Sequence, residues 1–141
     1  MTENTANQTE ITGSVYDDAF YENQVSESLR SAQIVLKTLF EYLQPKSVVD
    51  VGCGRGPWLT AAGELGATTL KGYDGPWVDK KELLSDAIDF SEIDFEKNLE
   101  LEGNYDLGIS VEVAEHISES NSENFLRRLC GFSQTILFSA A

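Results

Sequence analysis

Basic residues are scarce. The 141-residue chain carries 10 Lys and Arg against 24 Asp and Glu, a net charge of −14. That balance excludes an electrostatic grip on nucleic acid or on an anionic membrane, because both need clustered cations. Cysteine is limited to Cys53 and Cys130, which form no CxxC or CxxH pattern. They read as free thiols in a reducing cytoplasm. No apolar run approaches the ~18 residues of a transmembrane helix. Met1 to Glu10 are polar and contain no apolar core for a signal peptide. There is no internal repeat and no Pro/Gly/Ser linker. What remains is 41% hydrophobic, enough for one core in a chain of one-domain length.

The polar stretch through residue 14 cannot offset its ordering entropy and is expected to be a loose tail, with a domain over 15–141. Tyr16, Phe20 and Tyr21 suit one face of a short helix and are expected to be core aromatics. Leu29, Ala32, Leu36, Phe40 and Leu43 then recur at the helical period, and Pro45 ends that helix near Gln44. Ser47–Val51 is β-branched and apolar and reads as a buried parallel strand. Pro57 suits the first position of a helix running to a stop at Gly66. Further strands are expected at 68–73, 88–93, 105–111 and 135–139. A short helix is expected over 78–84, and a longer one capped by Asn121 or Ser122. Strands alternating with helices predict an α/β fold: a Rossmann-like three-layer α/β/α sandwich around a mostly parallel sheet.

The most informative stretch is Asp50-Val51-Gly52-Cys53-Gly54-Arg55-Gly56, which leaves a strand and enters a helix. Its glycines permit a sharp turn and close approach of a ligand to the backbone. The spacing departs from GxGxxG: Gly56 comes one residue early and Pro57 takes the later place. Asp50 would oppose a pyrophosphate and suits a cationic amino group. The loop therefore favours a ligand with an ammonium and no phosphates, and disfavours a nucleotide-dependent oxidoreductase.

Asp50-x-Gly52-x-Gly54-x-Gly56 resembles the first motif of class I S-adenosylmethionine-dependent methyltransferases. Asp74 closes the second strand, where the family keeps an acidic residue for the ribose hydroxyls; a carboxylate can accept from both at once. Asp94 and Phe95 follow the third strand, where the family often sets an acid near the adenine amine and an apolar neighbour against the ring. Residues 105–117 resemble the segment after the fourth strand of many small-molecule methyltransferases. The resemblance covers roughly residues 45–141. It implies S-adenosylmethionine as cofactor, held by Asp50, Gly52, Cys53, Gly54, Gly56, Asp74, Asp94 and Phe95. It also implies an N-terminal lid, with Tyr21 over the cofactor, and transfer of a methyl group to a small-molecule acceptor. The alternative is a cofactor-binding module without catalysis.

Glu112, Glu115 and His116 form an ExxEH cluster that would share a face on a helix start. It resembles a cluster in metal-dependent members of the superfamily, which use a further ligand beyond the fifth strand. Without that ligand no metal is expected, and Glu112 and His116 stand as the candidate general bases. The excess acid concentrates in residues 72–124, with 15 acidic residues against three lysines, a solvated surface that also attracts a cation. The family sheet normally has seven strands, of which about five are expected here. The fifth would leave an apolar edge at Thr135–Phe138, as expected of a fragment or a natural truncation, or of an edge that pairs in a homodimer.

Overall fold

A computed structural model describes residues 8–97, 101 and 103–141, with side chains from residue 18 onward among these. Helix α1 (Gln8–Tyr42) is followed by β1 (Ser47–Val51), α2 (Pro57–Glu64), β2 (Thr69–Asp74), β3 (Ile88–Glu92), β4 (Leu107–Val111), α3 (Glu119–Phe132) and β5 (Ile136–Ser139). The strands form one sheet in the order β3-β2-β1-β4-β5, and every pairing is parallel. The order reverses between β2–β1 and β1–β4. In open parallel sheets that point opens a crevice beyond the carboxyl ends of the strands, where ligands bind.

Side-chain alternation along β1 assigns the two cores. Val48 joins Leu70, Leu107 and Ile109 beneath Ala32 and Leu36 of α1 and Leu59, Ala61 and Ala62 of α2. Val49 and Val51 join Tyr73 beneath Phe125, Leu129 and Phe132 of α3. Helices thus cover both sheet faces, as the Rossmann-like three-layer reading requires. Asp50 falls between two core valines and, by the period of two, shares the α1/α2 face with Val48. Gly72 lets the layers close there, since a Cβ would stand 2.8 Å from Cys53 Sγ and 3.2 Å from Leu59 Cδ1.

Several expectations change. The short and the long helix are one 35-residue helix. It begins at Gln8, so the stretch expected as tail through residue 14 is helical from there, while residues 1–7 lie outside the described set. The stripe from Leu29 to Leu43 does face the core, with Ala32 and Leu36 fully buried. Phe20 and Tyr21 are not core residues: they are 65% and 53% exposed. The side chain of Tyr16 lies outside the described residues. The helix expected over 78–84 is a single 3-10 turn at Lys80–Glu82. Ser118, not Asn121 or Ser122, is the N-cap of α3. β5 closes one edge of the sheet, with Phe138 43% exposed. No helix among the described residues is long and apolar enough to cross a membrane.

Candidate ligand-binding cleft

The glycine loop between β1 and α2 winds through three left-handed residues: Gly52, Gly54 and Gly56 have φ of 89°, 54° and 82°. Side chains are excluded at two of them by neighbours. A Cβ on Gly52 would fall against Val113, and one on Gly56 against Ile88. At Gly54 a Cβ would meet nothing within 4 Å. The loop is open there, above a cleft of about 1430 Å³ that Gly52, Cys53, Gly54 and Asp74 line.

Four of the loop amides are spent inside the protein. Gly52 and Cys53 N–H donate to the Tyr73 carbonyl at 2.7 and 3.1 Å, and Gly56 N–H donates to the Cys53 carbonyl at 2.9 Å. Gly54 N–H donates to Asp74 Oδ2 at 2.7 Å. A phosphate-binding loop keeps such donors free for the anion; this one does not. Asp74 also accepts from Gly75 N–H through Oδ1 at 2.7 Å. Each carboxylate oxygen keeps a second lone pair for a ligand hydroxyl.

Asp50 is 2% exposed and stands behind the loop instead of lining the cleft. Burial, reinforced by the negative charge of Asp74, pushes its pKa up to about 8. Burial and the two carboxylates likewise push the Cys53 thiol up, so Cys53 is no nucleophile at neutral pH. Its part in the cleft is packing and backbone.

The segment after β3 forms the facing wall. Asp94, exposed, and Phe95, half-buried, both line the cleft. The Phe95 ring lies nearly parallel to Trp77, with centroids 6.3 Å apart and planes 17° apart, and tilts against Phe125 at 6.2 Å. Trp77 went unnoticed in the sequence because it follows the turn signal Asp74-Gly75-Pro76. It is 69% exposed and folds back over Gly75, where any Cβ would strike the indole. From α1, Tyr21 reaches the cleft. The Arg55 guanidinium stands 5.2 Å from its ring centroid and pairs with Glu82 at 3.1 Å.

The ExxEH residues are not on a helix start. Glu112 is the only non-glycine residue with positive φ among those described, at 56°, and Ala114–His116 is a 3-10 turn. Glu112 Oε1 accepts from Ser139 Oγ at 2.8 Å. His116 Nε2 lies 3.7 Å from Glu115 Oε1, on a side chain 78% exposed. Glu112 and His116 line the cleft; Glu115 does not. Among the described residues no group of three His, Cys, Asp or Glu is placed to hold a metal ion.

The fold is that of a Rossmann-like α/β domain with an open cleft at the carboxyl ends of its strands. Within that class, the profile of the methyltransferase domain family matches residues 21–134. The chain belongs to this family. Among solved structures it is similar to an O-methyltransferase family protein from Burkholderia thailandensis (TM-score 0.66, 17% identity, covering 82% of this chain and 37% of that one). It is also similar to the methyltransferase domain of bacterial CtHen1-CN (0.61, 20%, 77% and 64%). A third likeness is to coclaurine N-methyltransferase bound to N-methylheliamine and SAH (0.50, 19%, 72% and 33%). The chain thus spans about a third of the length of the first and third of these, and about two thirds of the second. Curated proteins gave no match.

Proposed function

We propose that this chain binds S-adenosylmethionine in the cleft beyond β1 and β2, in the cytoplasm, and directs its methyl group to a small-molecule acceptor. One observation carries the choice of ligand. Four amides of the loop, those of Gly52, Cys53, Gly54 and Gly56, are already bonded within the protein, while a buried carboxyl stands behind them. That combination suits a cation and disfavours a dinucleotide.

When bound, the cofactor supplies a methyl group activated by the adjacent positive sulfur. The chain's own work is to bind and to align. Asp50 gains negative charge behind the loop when a cation there draws off its proton, and Gly54 leaves room above it. Asp74 accepts from the ribose hydroxyls, Trp77 and Phe95 offer near-parallel ring faces to the adenine, and Asp94 stands beside them. Tyr21, braced by Arg55, covers the loop side. Glu112 and His116, on the β4 side of the cleft, are the groups able to take a proton from the acceptor.

Calorimetric titration is the test. S-adenosylhomocysteine is expected to bind and NAD to be silent; binding of NAD alone, or of neither, rejects the reading. Formation of S-adenosylhomocysteine with candidate acceptors then separates an enzyme from a binding module. Tyr21→Ala is expected to weaken S-adenosylhomocysteine binding about 2- to 5-fold, the loss of one exposed aromatic contact worth ~0.5–1 kcal/mol. Unchanged affinity would remove Tyr21 from the site.

A further inference from the structure

We propose that Glu96 is a positioning residue that fixes the Asp94–Phe95 wall of the cleft by tying it to the start of α3. The inference rests on the reading of that cleft as the cofactor site, and it begins from a helix cap supplied by the wrong segment.

Ser118 is the N-cap of α3, yet its side chain makes no capping bond to its own helix. It turns outward, and Ser118 Oγ donates to Glu96 Oε2 at 2.6 Å. Ser118 N–H donates to Glu96 Oε1 at 3.2 Å, and Asn121 Nδ2 donates to Glu96 Oε2 at 2.6 Å. The Glu96 carbonyl takes a weaker bond from Asn121 Nδ2 at 3.3 Å. A carboxylate at this end of a helix also meets the positive end of its dipole. Hydrogen bonds from Ser118 and Asn121 hold the Glu96 carboxyl below its ordinary pKa, so it stays ionised and bonded at neutral pH.

A local serine cap would serve the helix alone. The observed arrangement joins segments 22 and 25 residues apart. On one side lies the cofactor wall, which has no regular structure of its own. Its other polar ties are Ile93 N–H to the Asp74 carbonyl at 2.8 Å and bonds internal to the segment: Glu96 N–H to Asp94 Oδ1 at 3.0 Å, Lys97 N–H to the Asp94 carbonyl at 3.2 Å and Lys97 Nζ near Asp94 Oδ2 at 3.9 Å. On the other side lies the Glu112–Ile117 segment, which lines the β4 side of the cleft and runs directly into Ser118. Phe95, the residue before Glu96, is held between Trp77 and Phe125. Releasing Glu96 frees Phe95 to leave Trp77 while the core beneath stays packed.

The experiment reads Trp77 directly. The chain has two tryptophans, so a Trp58→Phe background leaves Trp77 as the reporter. In that background Glu96→Ala is expected to red-shift Trp77 emission and raise its quenching by acrylamide. In the otherwise unaltered chain it is expected to weaken S-adenosylhomocysteine binding about fivefold. Glu96→Gln combined with Asn121→Asp re-forms the bond with donor and acceptor exchanged, and is expected to restore both signals; a general loss of stability would not be reversed so. Emission and affinity unchanged by Glu96→Ala would overturn the proposal. If Glu96→Ala does not fold, Asn121→Ala carries the same expectations from the far side. A parent chain that binds no S-adenosylhomocysteine rejects the cofactor reading, and the emission of the ligand-free protein still decides the role of Glu96.

Discussion

Replacing Asp50 with Asn is expected to stabilise the protein at pH 8 and to weaken its hold on S-adenosylhomocysteine. The carboxyl is 2% exposed, and burial followed by the charge of Asp74 raises its pKa from 3.8 to about 8. The sign follows from linkage. Between those values the folded protein keeps a proton that the unfolded chain has released, so stability is full below the unfolded pKa and falls as pH rises through the folded one. At about 1.4 kcal/mol per unit, the loss reaches roughly 5 kcal/mol by pH 8. Asn has the shape of the neutral acid and no such slope. Urea midpoints of the parent chain should therefore fall from pH 5 to pH 8 and then level, while those of Asp50→Asn stay flat.

Two other carboxyls slope the opposite way and do not obscure this window. Glu96 is lowered by hydrogen bonds from Ser118 and Asn121, and Asp106 by the N–H groups of Lys46 and Ser47. Their contributions are present above the ordinary carboxylate range and are lost as pH falls below it. Binding a cation draws the proton from Asp50, so parent affinity should strengthen as pH rises towards 8. The Asn variant should lose that dependence and on the order of tenfold in affinity, about 1.4 kcal/mol. An Asp50→Asn protein less stable than its parent at pH 8 would show that the carboxyl has a partner in solution.

The elements that could be read from the sequence are those whose pattern is local. β1 is a β-branched run, and α2 is bracketed by Pro57 and Gly66. The Leu29–Leu43 stripe repeats at the helical period, and Ala32 and Leu36 are indeed buried. The stretch through residue 14 reads as tail because its sequence is polar, and the short helix does not read as joined to the long one because Phe20 and Tyr21 fall off that stripe; they are 65% and 53% exposed. The start of α3 was misplaced for a different reason. Ser118, Ser120, Asn121 and Ser122 are all capping types, and the N-cap is the one whose N–H and hydroxyl both donate to Glu96, far off in sequence. The ExxEH spacing looked helical, but Glu112 closes a strand in the left-handed region, bonded across to Ser139. In the cleft, Asp74 and the glycines were legible because each serves the backbone turn itself. Trp77 carried a signal that went unused: Gly75, a position without Cβ directly under the indole.

Two alanines placed two residues apart in the same loop should fail in opposite ways. At Gly52, φ is 89° and a Cβ would lie 3.0 Å from Val113 Cγ1 and closer still to Cγ2. The backbone strain costs about 1–3 kcal/mol, and the overlap with Val113 adds about 1–3 kcal/mol. Such a loss takes a large share of a typical stability of ~5–15 kcal/mol, so Gly52→Ala should lower the thermal midpoint by many degrees. Adding Val113→Ala removes the two methyl overlaps and leaves the strain and a tight Cβ contact at 3.2 Å, so the double variant should recover part of the loss and not all of it. At Gly54, φ is 54° and a Cβ meets nothing within 4 Å. The left-handed conformation costs an alanine about 1 kcal/mol, and the added methyl points into the cleft. Gly54→Ala should therefore remain folded, with a midpoint close to the parent's, while its affinity for S-adenosylhomocysteine drops at least about tenfold. Equal thermal losses at both positions, with binding intact at Gly54, would mean that the ligand does not pass over this loop.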